Sequence, residues 1–230
     1  MHLTLIRHGQ SYVNLPDWED GFIDAGLTDL GQQQAQRLAA WLAAHVQPTA
    51  LYSSTMKRTL ETTAAITAQI PLPVSTLDGL REVGNCWPDG SPVDLSQGEP
   101  AWTEHWASAR PFNPVFRGGE TWMDFITRVG RVMADIAAQH TDPDDIVLVV
   151  CHGGVIGAAL DIAFNIGPWR RNDGWNHNTS ITHLEYLSPG SKQDKYSGNE
   201  VWRLHGMNIC YHLLEPDGSV LGYEWHGPTP

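Results

Sequence analysis

Four short tracts of the chain hold residue types that can act together on an anion. Arg7-His8-Gly9 and Cys151-His152-Gly153-Gly154 each set a histidine beside glycine, Ser53-Ser54-Thr55-Met56-Lys57-Arg58 gathers hydroxyls and cations, and Leu80-Arg81-Glu82 adds a carboxylate. Imidazole serves as nucleophile or proton carrier near neutral pH, and a guanidinium fork binds two oxygens of an oxyanion at once. Glycine lets the backbone pass close to a bound group. Taken singly, each tract is ordinary: His8 a hydrogen-bonded strand-end residue, Ser53 to Arg58 a helix cap followed by a solvated arginine, Glu82 a surface partner of Arg81, and His152 a helix-start histidine bonded to the core. Two histidines, Arg7, Arg58 and Glu82 converging in one place would be far less expected by chance than any one of these tracts alone.

An open sheet is what would collect them. Apolar, β-branched runs at residues 3–6, 50–53, Val74–Leu77 and 146–150 alternate with segments of helical period, an α/β pattern. Each tract follows one of these runs, so a parallel sheet delivers all four at the carboxyl ends of its strands, where such sheets bind ligands. Run 146–150 is apolar without alternation, as expected of a strand covered on both faces. One helix puts Ala35, Leu38, Leu42 and Val46 on one face, with Thr28 as cap, Pro48 as stop and a glutamine-rich outer face. A second spans residues 57–69, a third carries Trp122, Ile126, Val129, Met133 and Ile136 at spacings of three and four, and a fourth opens at Gly153. These patterns predict a three-layer α/β/α sandwich with a mostly parallel central sheet, in a single domain over residues 1–230. Residues 83–119, rich in Gly, Pro and Trp, are too long for an ordinary connection and are expected to form a lid insertion containing a short helix at 101–109. A C-terminal β extension is expected at Ile181–Leu187, 200–204 and 220–225.

Composition narrows the partners. The 230 residues include 14 Lys+Arg against 26 Asp+Glu, a formal charge of −12, which disfavours nucleic acid and anionic membranes; any phosphate must be held locally by a few cations. Cys86, Cys151 and Cys210 are odd in number, far apart and without a C-x-x-C pair, arguing against a disulfide scaffold. No run approaches the ~20 apolar residues of a membrane span, and a strand beginning at His2 leaves no room for a signal peptide. A cytoplasmic location is expected.

The ordered set of motifs resembles the histidine phosphatase superfamily, which includes cofactor-dependent phosphoglycerate mutases and many phosphatases. It rests on Leu5-Ile6-Arg7-His8-Gly9-Gln10-Ser11, Asn14, Leu27-Thr28 with Gly31, Ser53-Ser54 with Arg58, Leu80-Arg81-Glu82, Gly119-Glu120-Thr121, Cys151-His152-Gly153-Gly154 and Asn178-Thr179-Ser180-Ile181. The resemblance implies a metal-independent phosphomonoesterase of small phosphorylated metabolites. His8 would form a phosphohistidine, Arg7, Arg58 and His152 would hold the nonbridging oxygens with help from Asn14, and Glu82 would protonate the leaving oxygen. Gly9, Gln10, Ser11 and Gly153 would complete the substrate-binding set. No cofactor and no metal are implied. Arg81 and Cys151 are read as structural, Cys151 because Val149 and Val150 predict an apolar setting.

Other functions fit less well. His152-Gly153-Gly154-Val155-Ile156-Gly157 approaches a dinucleotide fingerprint but carries histidine at its first glycine. The eleven histidines include no H-E-x-x-H and no pair at the close helical spacing of zinc enzymes. A noncatalytic phospho-ligand binding protein is disfavoured because every chemical position is filled. A mutase must hold a second charged group, yet between Glu82 and Thr121 the only cations are Arg110 and Arg117, among Trp87, Trp102, Trp106, Phe112 and Phe116. Hydrolysis is therefore favoured over the mutase alternative, with most of these aromatics packing lid to body.

Overall fold

The structure is a computed structural model that describes residues 1–16, 24–94, 111–167, 174–192 and 198–222. Strands β1 (His2–Arg7), β2 (Ala50–Ser54), β3 (Val74–Leu77), β4 (Ile146–Cys151), β5 (Ile181–Leu187) and β6 (Val201–Ile209) form one six-stranded sheet in the order β3-β2-β4-β1-β5-β6. The first four run parallel, and β5 and β6 close one edge antiparallel. Helices α1 (Asp29–His45), α2 (Lys57–Thr67), α3 (Trp122–Gln139) and α4 (Gly153–Ala163) cover its faces.

Strand alternation divides the core in two. Leu3, Leu5, Val147 and Val149 pack with Phe125, Val129, Met133, Ile156 and Leu160 of α3 and α4. Ile6, Leu51, Leu148 and Val150 pack with Leu38, Leu42 and Ile66 of α1 and α2. At about 1.5–3 kcal/mol for each large aliphatic side chain taken out of water, these two clusters hold the sheet rigid beneath its loops. Helix caps set where the loops end. Thr28 Oγ1 accepts from Gly31 N at 3.0 Å, and Thr121 and Asp124 form a reciprocal capping box at the start of α3.

The three-layer architecture is the one the periodicities imply, with local differences. Helix α2 stops at Thr67 rather than 69, because Ile70 precedes Pro71 and is driven out of the helical region. Strand β6 continues past Gly206 to Ile209, the irregularity being taken up by register shifts against β5. Gln34 belongs to no outer face: it is 2% exposed and its Oε1 accepts from Gln10 N at 2.9 Å. Val220 forms only an isolated bridge to Leu214, and no third C-terminal strand exists among the described residues. The helix expected at 101–109 and the end of the strand expected at 220–225 lie outside them.

Candidate active site

The parallel strands bring the tracts together at their carboxyl ends. Arg7 ends β1 and His8 follows it; Ser54 ends β2 and Arg58 lies in the first turn of α2; Glu82 lies beyond the turn after β3; His152 caps α4 directly after β4. The His8 and His152 rings lie 5.2 Å apart, centroid to centroid, at 63°. Arg58 Nε donates to His8 Nε2 at 3.1 Å, and Gly154 N donates to Glu82 Oε2 at 3.1 Å. A built Cβ on Gly153 would lie 3.8 Å from Arg7 Nε, so Arg7 reaches the start of α4 as well.

His8 is held in one tautomer. Its Nδ1 contacts the Gly9 carbonyl at 2.7 Å, and a carbonyl only accepts, so the proton sits on Nδ1 and Nε2 keeps its lone pair. Arg58 donating to Nε2 requires the same assignment. Burial, then the Arg58 and Arg7 charges, hold the imidazole well below its ordinary pKa and keep it neutral. The His8 backbone is fastened as firmly: its N–H bonds Cys151 O, and its carbonyl accepts from Thr179 N at 3.2 Å and Asn178 Nδ2 at 3.1 Å. Thr179 makes that bond at φ 59°, a conformation costly for a β-branched residue and tolerated where surrounding contacts impose it.

Two buried side-chain nitrogens in this space, Arg7 Nε and His152 Nδ1, meet no partner among the described residues. Arg7 gives one Nη1 hydrogen to the Asn176 carbonyl, while its Nε has no partner. His152 Nε2 pairs with Ser54 Oγ at 3.0 Å, while its Nδ1 has none. Burial lowers Arg7 and pulls Arg58 down to about 10, and burial followed by Arg58 holds His152 well below the usual histidine range. Two guanidinium groups and two unpartnered buried nitrogens thus gather in one place in a chain of net negative charge, an arrangement chemically suited to an anion.

The loop after His8 is arranged differently from a simple cradle of amides. Gly9 N bonds Thr62 Oγ1, Gln10 N bonds Gln34 Oε1, and Ser11 N bonds Asn14 Oδ1, so all three N–H groups are engaged within the protein. Asn14 Oδ1 also accepts from Ser11 Oγ and Asn178 Nδ2, which leaves its amide nitrogen as the donor outside these bonds. Gly9 and Gly31 are required by close approach: a Cβ at Gly31 would stand 1.9 Å from Gln10 O, and one at Gly9 would stand 2.6 Å from Gly31 O. Cys151 is fully buried and its thiol is pushed far up by desolvation, as a structural residue should be.

Over this end of the sheet, Val93, Val115 and Phe116 bury against Met56, and Trp87 meets Phe116 edge-on at 5.4 Å. Arg117 is exposed; Trp102, Trp106 and Arg110 lie outside the described residues. A cavity of about 640 Å³ between α3 and the β5–β6 pair opens near Met1, at the other end of β1 from His8. Among the described residues no group of three or more His, Cys, Asp or Glu is arranged to hold a metal ion.

Several contributors were not singled out from sequence for a site role: Thr62, Gln34, Gly154, Asn176 and Arg128. Arg128 alone carries a local signal, a charged residue three after Phe125 on the apolar stripe of α3.

A neutral, buried histidine beside two arginines at the carboxyl end of a parallel sheet fits one class of protein, and residues 3–218 match the family model for the histidine phosphatase superfamily, branch 1; the chain belongs to that family. Among curated relatives, it is 28% identical over 217 residues to the glucosyl-3-phosphoglycerate phosphatase of Mycobacterium tuberculosis, covering 90% of this chain and 93% of that protein. It is 29% identical over 216 residues to a metal-independent phosphoserine phosphatase of Arabidopsis thaliana, covering 84% and 88%. Among solved structures, Bacillus stearothermophilus YhfR superposes with a TM-score of 0.71 at 25% identity, covering 92% of this chain and 98% of that one.

Proposed function

We propose that this member of the phosphatase family hydrolyses small phosphomonoesters by way of a phosphohistidine at His8. The observation that supports it is the pairing of a neutral, Nδ1-protonated His8, its Nε2 lone pair directed at Arg58, with two buried nitrogens that have no partner among the described residues, Arg7 Nε and His152 Nδ1. In this reading His152 carries its proton on Nδ1, the phosphoryl oxygens take over Arg58 and accept from Arg7 Nε and His152 Nδ1, helped by the Asn14 amide, and Nε2 of His8 is released to attack phosphorus. As the N–P bond forms, the P–O bond to the leaving group breaks and Glu82 delivers its proton to the departing oxygen. Water then attacks, Glu82 takes its proton, the N–P bond breaks and inorganic phosphate leaves. Residues 83–119 act as the lid of a single catalytic domain. Small phosphorylated metabolites are the substrate class, in keeping with the names of the relatives, and the free thiols of Cys86, Cys151 and Cys210 support a reducing, cytoplasmic setting.

Rapid quench with labelled substrate, with and without a chelator, tests this. Phosphate should be trapped on His8, stable to alkali and labile to acid, and His8→Ala should abolish both the adduct and turnover. Label on serine or cysteine, or activity that vanishes on chelation and returns with a divalent ion, would sink the mechanism. Efficient isomerisation of phosphoglycerates exceeding hydrolysis would move the enzyme to the mutase alternative.

A further inference from the structure

We propose that Arg128, locked to Glu120, is the positioning residue for Glu82; this rests on the reading of Glu82 as proton donor. The problem it solves is visible in the sheet. β3, which leads to Glu82, is an edge strand of four residues whose side chains are largely exposed, so the sheet holds the turn after it poorly. His8 and His152, by contrast, follow the buried strands β1 and β4.

Arg128 reaches from α3 into that turn and uses all five of its N–H donors. Nε and one Nη2 hydrogen bind Glu120 in a bidentate pair at 2.9 and 2.7 Å. Both Nη1 hydrogens go to carbonyls of the turn, Gly79 at 3.0 Å and Arg81 at 2.8 Å, and the remaining Nη2 hydrogen goes to the Glu82 carbonyl at 3.2 Å. Glu120 holds the far side, accepting from Gly84 N at 2.7 Å. The backbone is thus fastened immediately before and after Glu82. The guanidinium lies 4.8 Å over the Phe125 ring, and both charged residues are buried, at 6% and 0% exposure. Gly79 adds a steric reason for the same docking, since a Cβ there would stand 2.4 Å from Val132 Cγ2 on the next turn of α3. Lysine could keep the charge but not this fork, because an ammonium is a point donor without planar geometry.

The test compares Arg128→Lys, Glu82→Gln and the double variant on an alkyl phosphate, whose leaving oxygen needs a proton, and on 4-nitrophenyl phosphate, whose leaving group needs little help. Arg128→Lys should lose about 100-fold in kcat on the alkyl ester, with KM little changed, and less than about tenfold on the nitrophenyl ester. Phosphohistidine should still form from the nitrophenyl ester. The double variant should be no slower on the alkyl ester than Glu82→Gln alone, since a misplaced acid and an absent one cost the same thing. Equal losses on both esters, or additive losses in the double variant, would overturn the proposal. If Glu82→Gln itself shows no preference between the esters, the assignment of Glu82 fails, which is a distinguishable result. Should Arg128→Lys not fold, Glu120→Gln, which keeps the side-chain shape but removes the charge from the pair, must show the same ester-selective loss; unfolding of both would make the pair a determinant of the fold alone and overturn a positioning role.

Discussion

Substituting Gly154 by alanine separates activity from stability in a way the geometry quantifies. A Cβ at this position would stand 2.2 Å from Glu82 Oε1 and 3.1 Å from its Cδ, whereas ordinary contact begins near 3.4 Å, so the carboxylate must retreat by about 1.2 Å. The three nearest atoms that the methyl meets all belong to the Glu82 carboxyl group, the end of a flexible side chain held by the Val83 and Gly154 N–H groups, so it can turn away at the cost of those two hydrogen bonds and no backbone shift. Alanine also favours the helix over glycine by about 1 kcal/mol. The Gly154 N–H bond to Glu82 Oε2 is lost or stretched as the carboxylate moves. Displacing a catalytic group by roughly 1 Å costs about 100-fold in rate, or about 2.7 kcal/mol of transition-state stabilisation. Melting by circular dichroism should therefore show little change in Tm, while kcat falls about 100-fold on alkyl phosphates and far less on 4-nitrophenyl phosphate. Full activity on the alkyl ester would show that Glu82 does not work from its observed position, and a large fall in Tm would show that the methyl cannot be accommodated by that side chain.

Two further outcomes follow from the same contacts. Gly31→Ala has no such relief, because its Cβ would stand 1.9 Å from the backbone oxygen of Gln10; it should destabilise by about 3 kcal/mol or more in urea denaturation, and near-neutral stability would refute the close approach. His8, His152 and His212 are held neutral by burial, His212 at about 4, so below the unfolded value of about 6.5 the unfolded chain takes up protons that the native state refuses. Their contribution is intact above that pH and is lost as pH falls, approaching about 1.4 kcal/mol per pH unit for each histidine; denaturant midpoints that stay flat from about pH 6.5 to 5 would contradict it.

Local chemistry and periodicity were enough to read most of the fold and which polar groups gather at one end of its sheet. The apolar runs, the spacing of Leu38 and Leu42 or Val129 and Met133, and the placing of Arg7, Arg58, Glu82 and His152 just after strands are properties of neighbouring residues, and parallel strands necessarily bring their carboxyl ends to one side. Only the tertiary structure decided how those groups are held. Gln34 turns inward against the hydrophilic pattern of its helix to hold Gln10, Asn178 and Thr179 fasten the His8 carbonyl from 170 residues away, Gly154 makes room for a carboxylate 72 positions earlier, and Arg128 grips a turn 46 to 49 positions before it. Each of these depends on which elements lie side by side and on polar groups that burial forces to find partners, and neither condition leaves a mark in a window of sequence short enough to read.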